Sequence, residues 1–361
     1  MTSRTVGDGL DLALAHALLG VDDDEDGREL VSVARTRSGT LPQLVISLAR
    51  RAGLTLGSGS RDELARAGRR AERYAELYAA LPAEAAARVV KGPSIARHYP
   101  ADLVRPVGDL DLVVPGEAEL WHAARLLVRT YGAEQNELTV FTADGRRHLV
   151  VVVSWPAADP LLEPELRVEL STAALVGDLR TVPVRPVLPE SPELADLLTV
   201  AEERFQRPFH LKDAVDAVVL LGSGALPPAA EVAAAFGTYC LAPEGAELLR
   251  LARTPATGDL VDGLLAALEE PARRETARRG AVVPRPEPTD PRERLAAGFP
   301  VWGMLLDGNG DRTGPDRSVL AEDGGLVAHT PIGSFLMVGG GLVGPEEYEA
   351  ALTALAGRGR S

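Results

Sequence analysis

Apolar residues spaced three and four apart open the chain, with Leu10, Leu14, Ala17 and Leu18 on one face of a helix within residues 1–20. The same period predicts a helix from Leu41 to Ala52. Ser60-Arg61-Asp62-Glu63 is a capping box, and it opens a helix reaching about Ala80 with Leu64, Ala67, Ala71, Tyr74, Leu77 and Tyr78 on its apolar stripe. Arg66, Arg69, Arg70 and Arg73 of that helix are expected on a solvated face, with attraction of an anionic substrate as their alternative use.

From Ala86 the pattern changes. Val89-Val90 reads as the end of a short strand, Lys91-Gly92 as a turn, and the residues through Pro100 as a helix and a loop. Asp109 to Val114 reads as a second strand and Glu117 to Tyr131 as an amphipathic helix. Thr139 to Thr142 and Leu149 to Ser154 form a hairpin about the turn Ala143-Asp144-Gly145-Arg146. Leu166 to Ser171 is a further strand, and Val182 to Val187 an edge strand, because Pro183 and Pro186 cannot donate to a ladder.

Helical periodicity returns over residues 191–275, clearest from Glu193 to Phe205 and from Leu211 to Leu221, with a break at Gly222-Ser223-Gly224. Ala281 to Pro291 carries four prolines and reads as an extended linker. Strands at Val301 to Leu306 and Ser334 to Val338, then a helix from Pro345 to Leu355, close the chain. The fold class is α+β (mixed α/β). Its parts are an N-terminal helical region at 1–85, a sheet core at 86–190, a helical domain at 191–280, a linker at 281–291 and a small β-rich appendage at 292–361.

Composition narrows the function. The formal net charge of −14 disfavours a dedicated duplex-DNA binder, which needs a basic surface. One cysteine, Cys240, excludes an internal disulfide framework and a multi-cysteine zinc site. No apolar run reaches the roughly 18 residues that span a bilayer, and no basic segment followed by an apolar stretch marks the N-terminus, so no membrane partner and a cytoplasmic location are expected. Of 38 Lys+Arg residues only Lys91 and Lys212 are lysines. In a chain that otherwise uses arginine, those two are candidates for positions that need a compact ammonium rather than a planar guanidinium.

Several motifs fall away. Asp22 to Gly27 resembles the start of a calcium loop, but Val33 occupies position 12, where a bidentate glutamate is required, so a solvated acidic turn is expected. Gly339-Gly340-Gly341-Leu342-Val343-Gly344 matches a dinucleotide expression without the βαβ unit that should follow it, and reads as a turn between strand and helix. The six histidines show no zinc spacing.

What remains is Asp109 and Asp111. Alternate strand positions share a face, so the two carboxylates project together while Leu110 and Leu112 enter the core. Adjacent carboxylates repel unless a cation lies between them. A magnesium site for a nucleoside triphosphate fits that demand, because Mg2+ takes a few carboxylates together with phosphate oxygens and water. A third carboxylate from a neighbouring strand is needed. Glu169 is the best placed, with Glu163 and Glu165 as fallbacks, and Lys91 is positioned to hold the triphosphate as a point charge.

The run Lys91-Gly92, Tyr99-Pro100, Arg105-Pro106, Gly108-Asp109-Leu110-Asp111-Leu112-Val113-Val114 resembles the uncharacterised nucleotidyltransferase family of the DNA-polymerase-β-like superfamily. It is also similar to the nucleotidyltransferase toxins of abortive-infection systems, which share a lysine-glycine start and a D-x-D strand. Val168-Glu169-Leu170 matches the family's later acidic strand, with Ser171 where the family has histidine, and Leu211-Lys212-Asp213-Ala214-Val215-Asp216 fits a helix with a basic residue and two aspartates. The resemblance covers roughly residues 60–225. It implies a mixed-sheet nucleotidyltransferase core and transfer of a nucleoside monophosphate from an NTP, with ATP expected, to a hydroxyl or similar acceptor on a small molecule or protein. In that picture Asp109, Asp111 and Glu169 hold Mg2+ or Mn2+ and Glu169 assists deprotonation. Lys91, Gly92 and Ser94 contact phosphates, Arg105 orients the loop or the triphosphate, and Lys212 reaches in from the helical domain. The alternatives are a catalytically weak nucleotide- or partner-binding module, and a toxin-type enzyme acting on tRNA; the acidic balance disfavours a nucleic-acid acceptor, with a tRNA end left open.

Overall fold

The computed structural model describes residues 9–22, 27–133, 135–308, 314–322, 325–340 and 343–358. The chain divides into two compact units, each made of three stretches of sequence: Met1–Leu77 with Val90–Gly108 and Leu188–Val282, and Tyr78–Val89 with Asp109–Val187 and Val283–Ser361. The class is α+β.

The first unit is helical. Its N-terminal helices are α1 (Leu12–Leu19), α2 (Gly27–Arg37), α3 (Leu41–Arg51) and α4 (Ser58–Ala79), followed after the first strand by the short α5 (Gly92–Ala96). The sequence pattern missed α2, which buries only Leu30 and Ala34 and so carries a weak stripe. The acidic turn expected at 22–27 falls largely outside the described residues. After α6 (Glu117–Tyr131), which belongs to the other unit, the helices α7 (Pro192–Glu202), α8 (Leu211–Gly222), α9 (Ala229–Thr238), α10 (Ala242–Leu251) and α11 (Gly258–Gly280) complete this unit. α8 is apolar on all sides and buried from Ala214 to Leu221, packing against α1, α3, α5, α7 and α10. Two aspartates, Asp213 and Asp216, are carried into the interior with it, at 2% and 1% exposure.

The second unit is built on one nine-stranded mixed sheet. Its strands are β1 (Arg88–Val90), β2 (Leu110–Val113), β3 (Gln135–Ala143), β4 (Arg146–Trp155), β5 (Leu166–Ser171), β6 (Val301–Asp307), β7 (Val319–Glu322), β8 (Leu326–Thr330) and β9 (Gly333–Val338), in spatial order 1-2-5-4-3-6-9-8-7. β2 and β5 are parallel, and β3–β4, β4–β5, β3–β6, β6–β9, β8–β9 and β7–β8 are antiparallel. The β3–β4 hairpin turns through Asp144 and Gly145 at φ +49° and +72°, the left-handed pair that suits the twist of the flanking strands. α6 (Glu117–Tyr131) packs on β4 and β5.

Two expectations are corrected here. The segment 292–361 is rich in strands, but they are not a separate appendage: Leu138, Thr139 and Val140 of β3 pair with Gly303, Trp302 and Val301 of β6, so the core sheet continues into β9, β8 and β7. Glycine is required at 303, since a Cβ there would meet the Cβ of Phe335 at 2.9 Å and that of Leu138 at 3.1 Å. The edge strand expected at Val182 to Val187 is reduced to a single bridge between Leu175 and Arg185, because Pro183 and Pro186 remove the donors a longer ladder needs. The proline-rich stretch 281–291 holds no regular element until α12 (Pro291–Ala296), and β9 leads through 339–344, in part outside the described residues, to α13 (Pro345–Arg358). No helix among the described residues is long and apolar enough to cross a membrane.

Candidate functional site

In the sheet unit, the parallel register sets Asp111 directly opposite Glu169, with Leu110 opposite Val168 and Leu112 opposite Leu170. The four apolar side chains are at most 1% exposed, whereas Asp111 and Glu169 are half-buried on the other face. Neighbouring strands lie about 4.8 Å apart, so two carboxylates in register stand close enough to repel, and a cation relieves that repulsion. Asp109 is exposed and precedes β2, so its carboxylate is not part of the paired row. Among the described residues no three His, Cys, Asp or Glu side chains are grouped to hold a metal ion. The in-register pair nevertheless suits Mg2+ in chemistry, since that ion is commonly held by one or two carboxylates and completes its shell with water and phosphate oxygens. Ser171, where the resembling family has histidine, is 7% exposed and closes a local turn: its hydroxyl donates to the Ala173 carbonyl at 2.7 Å and accepts from the Ala173 N–H at 3.1 Å. Glu163 and Glu165 precede β5 and line a separate cavity with Trp155.

In the helical unit, Lys91, Gly92, Ser94, Arg105 and Lys212 belong to one network of charges. Lys91 has φ +53° and ψ −136°, and Gly92 has φ +34°. A lysine at positive φ costs on the order of 1–3 kcal/mol and persists only where its surroundings fix it. Here α7 and the turn after it fix it: Asp196 accepts the Lys91 N–H at 2.9 Å and the Ser94 hydroxyl at 2.5 Å, and the Lys91 ammonium is ion-paired with Glu203. Burial would raise Glu203, yet the charges of Lys91, Arg207 and Lys212 hold it below the usual carboxylate range. The two lysines of the chain thus act on one carboxylate.

Arg105 is 4% exposed and gives both of its hydrogen bonds to Asp216, at 2.8 and 2.7 Å, while the Tyr99 hydroxyl donates to the same carboxylate at 2.6 Å. Burial works against ionising Asp216, but Arg105 and Lys212 outweigh it and keep the group below its ordinary range. Lys212 differs from the rest. Its side chain is 19% exposed, its nearest carboxylate oxygen is Asp216 Oδ2 at 3.9 Å, and its ammonium makes no hydrogen bond among the described residues. Burial, then the neighbouring Arg105 charge, lowers its pKa despite Asp216. An ammonium with three unused donors beside a cationic neighbour is a place where an anion is favoured.

Sequence reasoning missed Asp196, Glu203 and Arg207. Asp196 had a signal, since it interrupts the apolar run Leu194 to Ala201 and a carboxylate buried there demands partners. It also missed the role of Arg70, which is not solvated as expected. At 8% exposure Arg70 donates to the carbonyls of Val107 at 3.1 Å and Gly108 at 2.6 Å, and the Tyr74 hydroxyl joins it on Gly108 at 2.8 Å. The carbonyl gripped is the one preceding Asp109.

Burial raises the Asp196 carboxyl to about 6, against the opposing pull of the Ser94 and Lys91 hydrogen bonds. A carboxyl raised on folding stabilises the fold below its unfolded pKa near 4, and that contribution is lost as pH rises through about 6. Carboxyl carbon NMR is expected to show Asp196 titrating near 6, and Asp196→Asn to flatten the stability profile between pH 4 and pH 6. A midpoint at 4 or below would refute the assignment.

Comparison with family models, with curated proteins and with solved structures returned no match.

Proposed function

We propose that the protein is a nucleotidyltransferase that moves a nucleoside monophosphate from an NTP to a hydroxyl or similar acceptor on a small molecule or protein. The observation that carries the reading is the in-register pair Asp111–Glu169 on parallel strands, with the D-x-D residue Asp109 two positions upstream. Asp111 and Glu169 would hold a divalent cation, which when bound neutralises charge on the transferring and departing phosphate groups. Glu169 would accept the proton of the attacking hydroxyl. In the helical unit, Lys212, whose ammonium makes no hydrogen bond among the described residues, is the cation open to a phosphate oxygen. Ser94 and Arg105 already spend their donors on Asp196 and Asp216, so their part is to hold the segment that follows Lys91 against α7 and α8.

Calorimetry with each NTP tests the reading. Binding of at least one NTP is expected, dependent on Mg2+; absence of binding by all of them sinks the proposal. Lys212→Met is expected to weaken that binding by about 10- to 100-fold, the worth of a charge-assisted hydrogen bond or two, with the thermal midpoint unchanged or raised because a desolvated ammonium is removed. An unchanged affinity would take Lys212 out of the site.

A further inference from the structure

We infer that the sheet unit carries a second binding site, for a small organic cation bearing an ammonium or guanidinium group on a short apolar body. It stands independently of the nucleotidyl-transfer reading. The site is a cavity of about 280 Å³ where β4 ends and the loop to β5 begins. Its walls are apolar, formed by Trp155, Pro156, Pro160 and Pro164, and its charged lining is Glu163 and Glu165, with no basic residue. Trp155 is fixed from behind by Tyr131, whose ring stacks on the indole at 5.5 Å and 12°.

Two unmet polar groups say what belongs there. Ser154 lines the cavity at 5% exposure, and its hydroxyl has no hydrogen-bond partner among the described residues. With no partner in the chain, the Ser154 hydroxyl is left to bond a ligand donor or acceptor in the cavity. The carboxylate of Glu163 likewise has no ion pair or hydrogen bond among the described residues. Arg167, which faces Ser154 across the sheet register, points its charge to Glu137 at 3.3 Å. The charged groups an anion would meet at this cavity are both carboxylates, and a neutral apolar molecule would leave Ser154 and Glu163 as they are. A cation with N–H donors satisfies both and places its stem against the indole and prolines, where cation–aromatic attraction adds to the contact.

The test uses the full-length protein with agmatine and cadaverine as cationic probes and 1-pentanol as the neutral control, read by calorimetry and tryptophan fluorescence. At least one amine is expected to bind at or below about 1 mM and about 10-fold or more tighter than the alcohol. Glu163→Gln, a surface change that leaves the fold intact, is expected to weaken that binding about 10-fold, and Ser154→Ala about 3- to 10-fold. No binding of either amine at about 10 mM, equal binding of 1-pentanol, or amine binding unmoved by Glu163→Gln would each overturn the assignment. Loss of NTP binding elsewhere would not.

Discussion

Asp111→Asn is expected to lower nucleotidyl transfer by about 10³-fold or more, the scale of losing a ligand to a charge-neutralising ion, while the thermal midpoint stays level or rises. The two halves of this expectation come from one fact. Asp111 faces Glu169 in the register of adjacent parallel strands, and both are half-buried. Asparagine keeps the size and the strand position and removes one charge, so repulsion is relieved while the oxygen donor set is broken. A structural pair behaves in the opposite way: removing one member costs stability because the other loses its partner. Pyrophosphate release assayed beside a thermal melt separates the two. A fall in midpoint with activity retained would make the pair structural and remove the ground for an enzyme. Glu169→Gln should behave alike in stability and lose activity also through the missing base.

Part of the carboxylate arrangement was legible in the sequence because strands have a period of two, although the pair read there was Asp109 with Asp111, and Asp109 precedes β2. Leu110, Leu112, Val168 and Leu170 had to face a core, which put Asp111 and Glu169 on the opposite face of their strands; only the register needed the structure. The sparing use of lysine was legible too, and Lys91 and Lys212 do act on one carboxylate, Glu203. Their counter-charges were not readable, because Asp196, Glu203 and Arg207 are brought to them by the packing of α7 and α8, and no local period encodes which buried carboxylate meets which cation. Arg70 shows the same limit. Four arginines on a helix read as a solvated face, but one of them points inward to carbonyls 37 and 38 residues away. The continuation of the sheet through β6 was hidden for a related reason. Pairing of β3 with β6 joins residues over 160 positions apart, and the proline-rich stretch between them gives no sign of where the chain returns.

Asp216→Ala is expected to destabilise the helical unit by about 3–5 kcal/mol, the cost of breaking a buried ion pair from one side, more than any other single change to the charged network. Asp216 is 1% exposed and accepts from Arg105 twice and from Tyr99 once. Alanine leaves the Arg105 guanidinium buried without an acceptor and removes the only carboxylate within 4 Å of Lys212 among the described residues. At about 2–4 °C per kcal/mol for a unit of this size, the thermal midpoint should fall by roughly 10 °C. Replacing both partners with apolar groups distinguishes a specific pair from general sensitivity of α8. Asp216→Leu with Arg105→Met leaves no uncompensated charge from the pair, and should recover most of the loss. If the double variant is as unstable as the single one, the loss comes from packing around α8 and not from the stranded guanidinium. The same double variant probes function, because Arg105 and Lys212 share the Asp216 carboxylate. NTP affinity restored together with stability would show that Arg105 serves the fold alone. Affinity still reduced about 10-fold or more in a stable double variant would show that the guanidinium positions the phosphate-binding loop, a role its two bonds to Asp216 can serve only while both are made.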